Sequence, residues 1–236
     1  NQSVAISRAG CKVYHAGCIG SDGQSLKTLL EKSGVDLKYL KTVDEKTGHA
    51  IIQVEQSGEN CILLFAGANH LVSTDFIDTV LNDFEKGDLL VLQNEISNLP
   101  YLVNKAYEKG MKIILNPSPY NEVIGQIDLN KLYCLILNEV ESECISGVKQ
   151  DGFNNWAADN YPNLVFMLTL GKKGCRYIKG STVFEQGIFK VDTVDTTGAG
   201  DTFTGYFVAG LANGYDVPDI LRVASAASAL AVSKKG

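Results

Sequence analysis

Beyond Ser73 the chain alternates in blocks. The stretches 88-DLLVLQ-93, 112-KIILN-116, 133-YCLILN-138 and 164-LVFMLTL-170 are continuous apolar runs of strand length. Between them apolar residues recur at helical spacing over 73–86 and 98–109, and a short helix runs to Gly147. Gly87, Gly110 and Gly147 stand where such helices stop. A further helix precedes residue 164. Strands that are apolar throughout have both faces covered, and helices between them supply the crossovers. The pattern therefore predicts an α/β fold with a doubly wound, mostly parallel sheet and helices on both faces. A meander over 174–192 adds further strands.

The amino-terminal part is less regular. Residues 1–8 read as a helix running to Gly10, 12-KVYHAGCIG-20 as a strand, and 24–33 as a helix ended by Gly34. The segment 48-GHAIIQVEQSGENCILLF-65 reads as two strands around a Gln56-Ser57-Gly58-Glu59 turn, a small sheet forming a lid beside the main one. Residues 1–236 read as a single domain. Asn1 already lies in a helical pattern, and 234-KKG-236 follows directly on a long Ala/Ser-rich helix. The domain is accordingly expected to be incomplete at both ends.

The stretch 194-VDTTGAGDTFTGYFVAGLANG-214 poses a chemical question. Phe203, Phe207, Val208 and Leu211 recur at helical spacing, with Gly205 and Gly210 at closely packed positions and Gly214 as a stop. The helix starts near Ala199 to Thr202. Its first amides lack intrahelical partners and carry the positive end of the macrodipole. Gly198 and Gly200 have no Cβ, so a bulky anion can approach the backbone. The spacing is not that of a Walker loop, because 171-GKKG-174 is the nearest approach to one. It is not G-x-G-x-x-G either, because Phe203 stands at the third glycine. Asp201 has two readings. It is a first-turn carboxylate serving the helix dipole, or a base that takes a proton from a hydroxyl attacking phosphorus.

Composition narrows the classes. Of 236 residues 45% are hydrophobic and 20% charged, which suits a globular domain with an ample core. A net charge of -6 without a basic run argues against nucleic acid and membrane surfaces. No apolar run reaches spanning length. Six cysteines, at 11, 18, 61, 134, 144 and 175, show no C-x-x-C pairing and read as reduced residues of a cytoplasmic protein. The three histidines have no metal-ligand spacing.

Polar residues collect at the carboxyl ends of the strands: Gln93 and Glu95, Asn116, Asn138, and Thr169 to Gly171. In an open α/β sheet these ends form one rim, where ligands bind. That convergence favours the base reading of Asp201.

These residues resemble the ribokinase-like (PfkB) family of sugar and nucleoside kinases. The match is carried by 195-DTTGAGDTFTG-205, similar to the family's D-T-x-G-A-G-D pattern, and supported by 138-NEVE-141, 169-TLGKKG-174 and 116-NPSP-119. Asn1-Gln2 resembles the tail of a G-G-K-G-A-N-Q motif, 65-FAGAN-69 a lid segment, and 92-LQNEI-96 a sugar-facing loop. The likeness spans the whole chain. It implies transfer of the ATP γ-phosphoryl group to the primary hydroxyl of a sugar, with D-ribose first and another family substrate (a fructokinase's or nucleoside kinase's) as the alternative.

The resemblance also implies roles. Asp201 would be the base, and Gly198, Ala199 and Gly200 would supply anion-hole amides. Asn138, Thr169, Gly171, Lys172, Gly174, Gly200 and Ser225 would line the ATP site. Asn1, Glu95 and Asp201 would hold the sugar. Glu141 would organise Mg²⁺ through water. Asp195 and Thr197, with carbonyls of Ala231, Lys234 and Gly236, would hold a monovalent cation, K⁺. A homodimer through the lid is expected, with sugar and ATP as the small-molecule partners. The departures from the family pattern lie at the two ends, where its first sugar-binding motifs and last strand are not represented.

Plainer readings stand beside these. Asn138 and Glu141 form a capping pair, Ncap with N3, which does not exclude facing Mg²⁺. Glu95 reads equally as a solvated loop carboxylate, Lys172 as a surface lysine, and the 48–65 hairpin as an edge flap. The competing class is a catalytically silent sugar- or nucleotide-binding protein. A dinucleotide dehydrogenase is disfavoured by the absent glycine fingerprint.

Overall fold

The computed structural model describes residues 1–54 and 60–234. Helix α1 (Gln2–Arg8) buries Ala5 and Ile6. Strand β1 (Gly17–Ile19) pairs in parallel with β2 (Leu40–Thr42), with α2 (Gln24–Lys32) between them in sequence. The strand expected over 12–20 is thus shorter. Residues 11–16 run alongside instead, joined by a single bridge from Tyr14 to Asp36, while Cys11 and Val13 pack into the core.

The antiparallel hairpin of β3 (His49–Val54) and β4 (Asn60–Phe65) forms the small separate sheet. The turn expected at 56–59 lies outside the described residues. Helix α3 (Thr74–Leu81) ends earlier than its pattern suggests. The Asp88 carboxylate accepts from the Glu85 amide (2.8 Å), which fixes a turn where the helix would have continued. Phe84 leaves the helical face to stack edge-on against Tyr14.

The main sheet follows from the apolar blocks. Strands β5 (Leu89–Gln93), β6 (Lys112–Asn116), β7 (Cys134–Asn138) and β8 (Val165–Thr169) are parallel; β9 (Cys175–Lys179) and β10 (Thr182–Gln186) add on antiparallel. The spatial order is β10-β9-β8-β7-β6-β5. Helices α4 (Leu99–Glu108), α5 (Glu139–Ser146) and α6 (Gln150–Asn160) lie between the strands in sequence, and α7 (Ala199–Ala212) and α8 (Val217–Val232) follow.

Alternate residues of each strand enter different cores, which is why the runs carry no polar face. Ile113, Leu115, Leu135, Phe166 and Leu168 pack with residues of α3, α4 and α6, whereas Ile114, Cys134, Ile136, Val165 and Met167 pack with α1, α7 and α8. Helix α7 approaches its neighbours at its glycines. A Cβ on Gly210 would fall 2.7 Å from Ile220 Cγ1 of α8. Among the described residues no helix is long and apolar enough to cross a membrane.

Candidate functional site

The register brings the polar strand ends level in pairs. Gln93 pairs with Asn116, and Asn138 with Thr169, so these residues share one rim. The glycine-rich turn opens onto α7 beside it. Gly198 is the N-cap with φ +71°, a left-handed conformation that favours glycine, and no side chain caps the helix. A Cβ on Gly200 would meet nothing within 4 Å. Beyond Ala199 the first turn therefore presents uncapped amides to open space, the arrangement an anion requires. Ala199 N donates back to Thr196 O (3.2 Å), tightening the turn, and Ser228 Oγ of α8 donates to Ala199 O (3.0 Å).

Asp201 stands in the first turn of α7. Its carboxylate accepts from α1: Asn1 Nδ2 donates to Oδ2 (2.9 Å) and Gln2 Nε2 to Oδ1 (3.0 Å). The same Gln2 nitrogen donates to Gln93 Oε1 at the end of β5 (2.6 Å). Residues 200 positions apart in sequence thus meet at one carboxylate. Glu95 lies on the exposed rim just beyond β5, yet its surroundings withhold enough water to push its carboxyl up, and the nearby Asp201 charge adds to the effect.

The next strand ends carry a second cluster. Asn138 caps α5 in a complete capping box: its Oδ1 accepts from Glu141 N (2.8 Å), and Glu141 Oε2 accepts from Asn138 N (2.9 Å). Glu141 is only 7% exposed, and its other oxygen accepts a short hydrogen bond from Ser118 Oγ. Ser118 belongs to the loop after β6, and Asn94 pins that loop. Asn94, itself buried, donates to Pro119 O (2.6 Å) and Asn121 Oδ1 (2.9 Å). The residue beside Glu95 thus supports the segment that holds Glu141.

The third cluster follows β8. Thr169 Oγ1 donates to Leu137 O (3.2 Å). Gly171–Lys173 makes a single 3₁₀ turn, in which Lys173 pairs with Glu139 (3.1 Å) while Lys172 stays exposed. Gly174 has φ +96°, and a Cβ there would lie 2.0 Å from Gln186 O, so close strand approach explains this glycine. Ser225 is 9% exposed, with its hydroxyl 3.6 Å from Cys175 Sγ. The structure places it in the packing between α8 and β9 rather than on open surface.

The expected cation turn also has a defined neighbour. Val194 N and Asp195 N both donate to Val232 O (2.8 and 3.2 Å), Asp195 Oδ1 accepts from Thr197 N (2.9 Å), and Lys234 N donates to Ala231 O (3.2 Å). The 194–197 turn and the end of α8 therefore lie together. Gly236 lies outside the described residues.

The donor sets fit the expected groups to different degrees. The uncapped amides and open space at Gly200 suit a phosphate. Glu141 retains lone pairs but little exposure, which suits contact with Mg²⁺ through water rather than direct ligation. Beside α8 the Val232 and Ala231 carbonyls already accept backbone amides, so a monovalent cation there would use the remaining lone pairs of these hard oxygens.

Gln2, Gln93, Asn94 and Ser118 are the site residues that sequence reasoning did not assign. Gln93 was visible as a polar strand end, and Ser118 lay inside 116-NPSP-119. Nothing local in the chain indicated that Gln2 would reach Asp201.

Comparison with known proteins bears on the family and the fold. The pfkB family carbohydrate kinase model matches residues 1–236. The chain is 35% identical over 247 residues to the ribokinase of Haemophilus influenzae, covering 100% of this chain and 80% of that protein. Among solved structures, it resembles ribokinase from Cryptococcus neoformans var. grubii serotype A in complex with ADP (34% identity, TM-score 0.86, 100% of this chain and 81% of that one). It also resembles Arabidopsis thaliana ribokinase complexed with ribose and ATP (28% identity, TM-score 0.84, 100% and 80%).

Proposed function

We propose that this chain, which belongs to the pfkB family of carbohydrate kinases, transfers the γ-phosphoryl group of ATP to the primary hydroxyl of a sugar, converting D-ribose to ribose 5-phosphate. The observation that carries the reading is Asp201 itself. At a helix N-terminus with no side-chain cap, its carboxylate accepts hydrogen bonds from α1 at the rim, beside amides open to an anion.

In this reading Glu95 and Asn1 orient the sugar, and Asp201 accepts the proton of its primary hydroxyl. The hydroxyl oxygen forms the new bond to the γ-phosphorus, the bridging oxygen leaves with ADP, and the amides of Gly198 and Gly200 stabilise the charge on the phosphoryl oxygens, while the Ala199 amide, expected to join them, is held by Thr196 O. Asn138, Thr169, Gly171, Lys172, Gly174 and Ser225 belong to the nucleotide side. Mg²⁺ and K⁺, when bound, neutralise phosphate charge and stiffen the glycine turn; Glu141 would hold the first through water, and Asp195, Thr197, Ala231, Lys234 and Gly236 the second.

The hairpin of β3 and β4 would close over the sugar and exclude water, which protects ATP from hydrolysis. It leaves Leu63 and Phe65 66% and 45% exposed, and apolar surface of this kind supports a homodimer through the lid. The chain works in the cytoplasm, where the thiols of Cys18, Cys134 and Cys175, pushed up by burial, stay protonated and inert.

The test is a side-by-side assay of ADP release with ribose, fructose and adenosine. Ribose is expected to have the highest kcat/KM. Preference for fructose or adenosine would move the substrate elsewhere in the family, and ADP release with none of them would favour the silent-binding alternative.

A further inference from the structure

Gln2 joins two elements of the site. Its Nε2 donates both to Asp201 Oδ1 (3.0 Å) and to Gln93 Oε1 (2.6 Å). We propose that Gln2 is a positioning residue for Asp201: its amide, held in turn by Gln93, fixes the plane of the carboxylate so that a lone pair faces the acceptor hydroxyl. The inference rests on Asp201 being the base.

A carboxylate in the first turn of a helix, where Asp201 stands, has two competing conformations. It can fold back toward the helix's own free amides, whose positive end attracts it, or it can point outward. The amides of α7 are uncapped, so that attraction is present here. Asp201 nevertheless accepts from α1. The donors on α1 therefore decide which way the base points.

The direction of this chain of bonds follows from the chemistry of the groups. An ionised carboxylate only accepts, so Gln2 must turn its nitrogen toward Asp201. The same nitrogen then needs an acceptor at Gln93, which the Oε1 of that amide supplies. Flipping the Gln2 amide would set its oxygen against both the carboxylate and the Gln93 oxygen. Gln93 thus holds Gln2 in the one orientation that serves Asp201. Asn1, the other donor, is assigned to the sugar, which leaves Gln2 as the partner that stays with Asp201 through turnover.

Other hydrogen bonds hold the platform in place. Helix α1 is tied on its other sides by a Ser3 Oγ contact with His15 Nδ1 (2.9 Å) and by Ser7 Oγ donating to Ser33 O (2.7 Å). Displacement of a reacting group by about 1 Å is enough to cost ~10²-fold in rate.

The experiment measures kcat, both KM values and melting temperature for Gln2→Leu, Gln93→Leu and their combination. Each is made with Asp201 present and with Asp201→Asn. Gln2→Leu is expected to lower kcat by about 10- to 100-fold with the KM for ATP unchanged. Gln93→Leu should lower it less, and the double variant no further than Gln2→Leu alone. In the Asp201→Asn background none of the three should lower kcat again. Gln2→Met, close in shape to glutamine, should behave like Gln2→Leu, which guards against a packing artefact. If Gln2→Leu and Gln2→Met keep kcat within twofold while Asp201→Asn is inactive, the positioning role is wrong and the base reading stands. Equal losses in both backgrounds would also overturn it, because Gln2 would then act elsewhere. A fully active Asp201→Asn would remove the base reading and this inference with it.

Discussion

Gly205 of α7 lies so close to Ala5 of α1 that a Cβ on it would fall 2.3 Å from the Ala5 Cβ. The two helices meet backbone to backbone, and this approach sets Asn1 and Gln2 within reach of Asp201. Gly205→Ala tests the relationship. Alanine gains about 1 kcal/mol of helix propensity, against about 1–3 kcal/mol of overpacking. We expect a net loss of up to ~2 kcal/mol in denaturant unfolding together with reduced kcat. A variant that is more stable and fully active would show that the helix contact does not set the site.

Asp201→Asn separates catalysis from capping. With Asp201 as base, kcat should fall by about 10²–10⁴-fold, while ATP affinity holds or improves because a negative charge near the phosphates is gone. A dipole role alone predicts normal kcat and a stability loss of up to about 1 kcal/mol. Rate, nucleotide titration and melting temperature on one preparation decide between them.

Glu95 carries a signature in pH. Burial, and next the Asp201 charge, raise its carboxyl above the unfolded value of 4.5, so the folded state binds a proton more readily than the unfolded chain. That contribution to stability is fully present below pH 4.5 and is lost as pH rises through the folded value. Glu95→Gln should therefore melt higher than the parent at neutral pH, with the gap closing in acid, while its KM for sugar rises. A gap that is the same at both pH values would contradict the shift.

Ser118→Ala should expose the cost of holding Glu141. The serine hydroxyl bonds one oxygen of a carboxylate that is 7% exposed, and its loss leaves a buried acceptor short of a donor. We expect destabilisation of about 1–3 kcal/mol by chemical denaturation. Unchanged stability would mean that water replaces the hydroxyl without penalty.

Potassium should activate the enzyme. A cation among the carbonyls near Asp195 and Val232 would stiffen the turn that leads into the Gly198–Gly200 amides. Assays at constant ionic strength in potassium, sodium and tetramethylammonium should rank potassium first, and equal rates in all three would discard the site.

Much of the architecture was legible because it depends on local pattern. Continuous apolar runs marked β5 to β8, glycines marked helix ends, and the uncapped start of α7 followed from 198-GAG-200. The capping box of Asn138 and Glu141 was readable from a spacing of three. Shortfalls occurred where tertiary contacts override pattern: α3 stops at Leu81 because Asp88 captures the Glu85 amide, and of the expected 12–20 strand only 17–19 form a ladder, with a single bridge added at Tyr14.

The sequence by itself determined the layers of the fold, the rim on which polar residues collect, and the candidate carboxylate. Those rest on periodicity and on backbone groups that any helix start must leave open. The partners of that carboxylate were decided only by tertiary structure. Asn1 and Gln2 meet Asp201 across 200 and 199 positions, Asn94 and Ser118 brace Glu141 through two separate loops, and Ser225 turns out to be packed against Cys175. Hydrogen bonds between distant side chains depend on distances of a few tenths of an ångström, which no local spacing specifies and which close helix packing at Gly205 provides.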